Sequence, residues 1–225
     1  MNFNHIHHDF KELIQDNSNG SRAYITPEGH RYPSVTTVLS EHSREGIEKW
    51  KKRVGEVEAN KISNRASNRG TSIHTICEQY LLNNPVDKTP YPLLNLGFKS
   101  LKTHLNRLNN IRCLETRLYS DILKLAGTVD CVAEYDGVLS IIDFKTSNKP
   151  KKLEYVTGYF MQGTAYSIMF EERTGIAVDQ VVIMVAVDYD NPQVFVVNSK
   201  EHQEHLQKYV DLYWSKQSCL ETPLS

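Results

Sequence analysis

Residues 127–147 read Gly127-Thr-Val-Asp130-Cys-Val-Ala-Glu-Tyr135-Asp136-Gly137-Val138-Leu-Ser-Ile-Ile142-Asp143-Phe144-Lys145-Thr-Ser147. Asp136-Gly137 between two β-branched runs is a hairpin signal, because a type I′ turn needs positive φ at both central residues. If those two residues make the turn, Tyr135 faces Val138, and counting back sets Asp130 opposite Asp143. Opposed residues project to one face with Cβ atoms roughly 4.5–5.5 Å apart. Two carboxylates that close repel each other, and a divalent cation between them converts the repulsion into binding. Lys145 shares that face by strand alternation, while Ile142 and Phe144 point the other way. A metal that polarises a phosphate, with a lysine orienting water or stabilising charge, suits phosphodiester hydrolysis. The bland alternative is that Asp130 caps a turn and Asp143–Lys145 is a surface charge pair.

Working outward, the patterning predicts strands over 114–123, 127–135 and 138–145. A long, mostly apolar helix is expected over 152–173, with Gly175 as its C-cap. Two further strands, 180–188 and 193–197, and a last helix over 200–218 complete the C-terminal half. Toward the N-terminus, helices are expected over 43–68, from Gly70 to the Asn83-Asn84-Pro85 stop, and over 94–108. Residues 1–33 read as polar and irregular, and His5, His7 and His8 as a mobile terminus without a role. Helices followed by a strand meander and helix–strand–strand–helix imply a mixed α/β sheet flanked by helices.

Composition narrows the function. The 225 residues carry 26 Lys plus Arg against 27 Asp plus Glu, a net charge of −1. Uniform electrostatic attraction to nucleic acid is excluded, so phosphate binding needs a local patch. The basic stretch from Lys49 to Arg69 is one, and Lys149, Lys151 and Lys152 are another; a plain solvated face is the alternative for both. Ser34 and Thr36 are further candidate phosphate contacts. Cys77, Cys113, Cys131 and Cys219 have no metal-cluster spacing and read as reduced thiols. No stretch is apolar enough to span a bilayer, and the N-terminus lacks an apolar targeting core. A cytoplasmic protein without membrane partners is expected.

Three more segments carry chemistry: Gly70-Thr-Ser-Ile-His74-Thr-Ile-Cys-Glu78, Gln162-Gly-Thr-Ala-Tyr166 and Pro33-Ser34-Val-Thr36-Thr-Val-Leu39. On its helix His74 borders the apolar stripe, where a histidine taken alone is more often a hydrogen-bonded boundary residue than a ligand. Tyr155, Tyr159, Gln162 and Tyr166 share one helical face, either a core stripe or an active-site edge that stacks on bases. A long amide there needs a partner.

Together with Gly127-Thr-Val-Asp130 and Ile142-Asp143-Phe144-Lys145, these segments resemble the motifs of PD-(D/E)XK nucleases, RecB-like branch. The similarity extends to single-strand exonucleases of the mitochondrial genome maintenance type and their phage relatives. It covers roughly residues 30–200, in the same order along the chain. The resemblance implies a restriction-endonuclease-like core over 111–225, with residues 1–110 as the N-terminal segment and helices covering the site, the two making one compact domain. It implies a metal-dependent DNA exonuclease preferring single strands. The catalytic residues would be Asp130, Asp143 and Lys145, and Mg²⁺ (or Mn²⁺) would be held by His74, Asp130, Asp143 and the Phe144 carbonyl. Gln162, Tyr166, Ser34, Thr36 and Arg69 would contact substrate, with Glu78 orienting His74. Replication or recombination proteins would be its partners. The second acid is Asp143 rather than the commoner Glu, and the cysteines of cluster-bearing members are missing, so no iron–sulfur cluster is expected. A non-catalytic nucleic-acid-binding subunit, or an endonuclease or nuclease subunit beside a helicase, are the alternatives; with no Walker A sequence, a motor would be another protein.

Overall fold

The computed structural model describes residues 2–18 and 20–221. Among the described residues eight strands form two sheets, and five α-helices accompany them. Strands β1 (Ile14–Asp16), β2 (Ala23–Ile25) and β3 (Arg31–Pro33) make a small antiparallel sheet. This corrects the expectation of an irregular 1–33. Three-residue strands carry too little periodicity to be read, and these depend on Leu13, Tyr24, Tyr32, Tyr119 and Ala126 packing together. The N-terminal histidines are also placed. His5 bridges Ile111 and its Nε2 lies 2.9 Å from the Leu81 carbonyl, while His8 meets Arg112 at 3.1 Å.

The main sheet has the order β4 (Leu108–Ser120), β5 (Leu125–Tyr135), β6 (Val138–Ser147), β7 (Gln180–Val187), β8 (Gln193–Asn198). Only β6 and β7 run parallel, joined through α4 (Thr157–Thr174); the other neighbours are antiparallel. The hairpin has the expected register, with Tyr135 against Val138 and Cys131 against Ile142. Asp136 and Gly137 have φ of 51° and 80°, as a type I′ turn requires.

Both faces of this sheet are covered, so its central strands are apolar on both sides. Ile142, Phe144, Val182 and Met184 pack under α2 (Glu56–Leu81) and α3 (Pro92–Leu105). Ile141, Val181, Ile183 and Val185 pack under α4, with α1 (Val35–Val54) and α5 (Gln203–Glu221) completing that layer. Asp143 and Lys145 thus point from β6 toward the α4 side, into an otherwise hydrocarbon layer.

The first two helices depart from the expected boundaries. The break falls at Gly55 (φ 85°), and α2 runs unbroken through Gly70. One interior glycine costs a helix only about 1 kcal/mol, which the packing of Ile73, Cys77 and Leu81 outweighs. From His42 to Gly70, Ala59 alone is buried. The two helices therefore project from the body as a pair rooted only at its two ends. The helix expected over 152–173 is also shorter: a 3-10 turn, Leu153–Tyr155, precedes α4. Tyr155 consequently lies outside the α4 face that carries Tyr159, Gln162 and Tyr166. Among the described residues no helix is long and apolar enough to cross a membrane.

Candidate active site

The site forms where β4, β5 and β6 meet the middle of α2. Asp130 and Asp143 would be the next opposed pair after Cys131–Ile142, but the ladder stops there. Instead Asp130 turns its side chain across the gap, and its Oδ2 accepts the Phe144 N–H at 2.8 Å. Asp130 is 7% exposed and Asp143 1%. Among the described residues Asp143 Oδ1 has no hydrogen-bond partner, and Oδ2 is met by Lys145 Nζ in an ion pair at 2.5 Å. A buried carboxylate with one oxygen unpartnered is under-satisfied.

His74 comes in from α2. Its Nε2 lies 2.6 Å from the Phe144 carbonyl oxygen, and its Nδ1 lies 3.4 Å from Asp130 Oδ1 and 3.6 Å from Glu115 Oε1. His74, Glu115 and Asp130 each offer one ligand atom, all within 4.8 Å of one another. Glu115 was not among the expected residues. It sits on β4 between Leu114 and Thr116, which pair with Cys131 and Val129, and so faces Asp130 across the ladder. Its backbone has φ of 44°, a left-handed conformation that interrupts the strand. A residue without glycine's freedom holds that state at a cost of about 1–3 kcal/mol, and such strain concentrates at functional sites.

The charges are strongly coupled. Burial alone would lower the pKa of His74, but the hydrogen-bonding carboxylates Asp130 and Glu115 outweigh it and raise it to about 10. Burial pushes Asp130 up, yet His74, Lys145 and the Phe144 N–H pull it below its ordinary value. Asp143 goes the other way: burial, with the neighbouring Asp130 charge, raises it to about 6 against the pull of Lys145. Lys145 stays protonated because Asp143 and Asp130 overcome its own burial. The imidazolium of His74 thus stands where a cation is electrostatically in demand.

Behind this cluster, Lys145 Nζ lies 3.4 Å from Gln162 Oε1 and 5.1 Å from the centre of the Tyr159 ring. Gln162 also lies beside the buried Tyr166 hydroxyl, whose pKa burial pushes well up while the Gln162 side chain pulls it down. Gly127 accounts for how Tyr166 fits, since a Cβ there would lie 2.7 Å from the Tyr166 hydroxyl oxygen. Gly127→Ala is therefore expected to displace that ring and destabilise the protein by about 1–3 kcal/mol in urea unfolding. An unchanged midpoint would show that Tyr166 is free to move aside.

Several expected site residues lie elsewhere. Ser34 is buried and is the N-cap of α1, its hydroxyl accepting the Thr37 N–H at 3.0 Å, so it is committed to the helix. Thr36 is exposed beside it, 2.9 Å from the Ser34 hydroxyl. Arg69 is ion-paired with Asp188 at the end of β7, with little exposure on either side. Burial, and after it the charge of Glu115, raises the pKa of Glu78; no hydrogen bond or ion pair joins it to His74 among the described residues. Glu115, from another strand, stands in the place expected of Glu78.

No family model matches the chain. Mitochondrial genome maintenance exonuclease 1 of Homo sapiens is 33% identical over 129 residues, which are 53% of this chain and 38% of that protein. The Mus musculus protein of that name is 33% identical over 132 residues, 54% and 38%. The Xenopus tropicalis protein is 33% identical over 128 residues, 53% and 37%. The matched stretch thus spans under two fifths of the length of these curated relatives. All three are named as exonucleases, which supports a nuclease relationship for this chain.

Proposed function

We propose that the protein is a divalent-metal-dependent exonuclease that hydrolyses DNA, with single strands preferred, on a restriction-endonuclease-like sheet of the RecB-like kind. The observation that carries this reading is the convergence of His74, Glu115 and Asp130 beside a buried, under-satisfied Asp143 that is paired with Lys145. The similarity to proteins named as exonucleases points the same way.

The residues fit a cation by their own chemistry. Carboxylate oxygens with one imidazole suit Mg²⁺ or Mn²⁺. His74, Glu115 and Asp130 would hold it, with Asp143 and the Phe144 carbonyl next to them. When bound, the cation supplies charge stabilisation for the phosphate and acidifies a coordinated water. The chain does the rest. Lys145, held protonated between Asp143 and Gln162, presents one positive charge to the phosphate or the attacking water. Gln162 and Tyr166 fix the lysine, and the apolar layer around Asp143 strengthens each charge by excluding water. A binding-only subunit has less support, because it has no need of an under-satisfied Asp143 beside a lysine.

The test uses end-labelled linear and circular DNA, single- and double-stranded, with Mg²⁺ or EDTA. Linear single strands should be degraded from their ends in Mg²⁺ only; activity in EDTA, or on circles, would overturn the reading. Metal binding has a signature of its own. Both ring nitrogens of His74 are engaged and its pKa is raised to about 10, so ligation by either one must release a proton near neutral pH. Apparent Mn²⁺ affinity should rise about tenfold per pH unit between about 7 and 9. Calorimetry in buffers of different ionisation heat should find about one proton released, and none would remove His74 from the ligands.

A further inference from the structure

The segment joining β6 to α4 carries no role in the mechanism above, yet it is built as a surface. It holds Lys149, Lys151 and Lys152 against one acid, Glu154, which lies 3.9 Å from Lys152. Two apolar side chains in it are open to solvent, Leu153 at 63% and Tyr155 at 65%. Leu153 and Tyr155 are thus free of the core and available to a binding partner beside the lysines.

The backbone under these side chains is fixed. The Gln193 side chain pairs with Lys151 as a strand would, accepting the Lys151 N–H at 2.6 Å and donating to its carbonyl at 3.0 Å. At one end the Ser147 hydroxyl donates to the Lys149 carbonyl at 2.6 Å, and at the other Val156 is fully buried. The segment is therefore pinned at start, middle and end while its charged and apolar side chains face outward. Such pre-ordering lowers the entropy lost on binding. Its position is also telling. Lys149 is four residues beyond Lys145, within about 14 Å along the chain. At the other end, Tyr159, whose ring lies beside the Lys145 ammonium, is four residues past Tyr155.

We infer that residues 149–155 form a docking platform for unpaired nucleic acid, with the lysines on phosphates and Tyr155 stacked on a base. Cations interleaved with an exposed aromatic are the chemistry that single strands need and duplexes cannot satisfy, since paired bases hide their faces. The platform would give the proposed nuclease its single-strand preference, and to that extent it rests on the function proposed above.

The test measures binding of end-labelled oligothymidylate and of a blunt duplex in EDTA, where metal-dependent cleavage is silent. Tyr155→Ala should weaken single-strand binding about tenfold and leave duplex binding unchanged, while Tyr155→Phe binds like wild type. Lys149→Ala with Lys152→Ala should flatten the salt dependence of single-strand affinity by about 1.4 in the log–log slope. Single-strand affinity unchanged in Tyr155→Ala, equal losses on both substrates, or a Phe variant as weak as Ala would each overturn the platform. Cleavage by wild type in Mg²⁺ is scored separately. A protein that cuts nothing but keeps the Tyr155 effect loses the nuclease reading and retains the platform.

Discussion

Asp143→Asn is expected to slow DNA cleavage by at least about a thousandfold at saturating Mg²⁺, equivalent to roughly 4 kcal/mol of transition-state stabilisation. The change keeps shape and volume and removes only charge. Two consequences separate it from a folding defect. The folded-state pKa of Asp143 is raised from 3.8 to about 6. A raised carboxyl pKa means that its favourable contribution to stability is complete below about pH 4 and lost as pH rises through 6. At pH 7.5 the ionised side chain therefore weighs against the metal-free fold. Lys145 loses its nearest partner in the variant but keeps the Asp130 charge, which also holds it protonated. Thermal unfolding in EDTA should accordingly show Asp143→Asn as stable as wild type or more so, and the gain that wild type draws from Mg²⁺ should shrink. Cleavage within tenfold of wild type would dismiss Asp143 from the chemistry.

Glu115→Gln should act on metal affinity. Removing one carboxylate from the cluster is expected to shift the Mn²⁺ dependence of cleavage about 10- to 100-fold to higher concentration, the scale on which groups supporting a metal site act. Much of the lost rate should return at high Mn²⁺, unlike that of Asp143→Asn. Glu115→Gly sharpens the test. With φ of 44°, glycine relieves backbone strain while also deleting the carboxylate, so stability in EDTA should rise as metal affinity falls. A metal titration that superimposes on wild type in both variants would remove Glu115 from the site.

The difference between these two acids shows what could be read from the residues. The hairpin that carries Asp130 and Asp143 was legible because a two-residue turn fixes it, so register follows by counting as far as Cys131–Ile142. Glu115 was hidden because β4 joins β5 through four residues, 121–124, rather than through a two-residue turn from which register can be counted. Such a connection has no one-letter signature, and an error of one residue turns the side chain to the other face. The same limit explains Glu78, which is one turn from His74 on the same helix, whereas the carboxylates that meet the imidazole come from two strands. Ser34 had the residue type for a phosphate contact, but a hydroxyl ahead of an apolar run serves equally as a helix cap. The layers were easier to read. Apolar runs in β6 and β7, joined by a helix, leave few arrangements for a sheet buried on both faces.

The projecting pair made by the far end of α1 and the near end of α2 has an energetic consequence. With Ala59 its only fully buried residue between His42 and Gly70, and Trp50, Val54 and Ile62 only half-buried, it gains less from hydrocarbon burial than the helices on the sheet and leans on its own backbone ladder. Melting that outcrop would sacrifice little contact with the sheet, so it is expected to be a low-stability foldon that unravels and re-forms while the carboxylate cluster stays assembled.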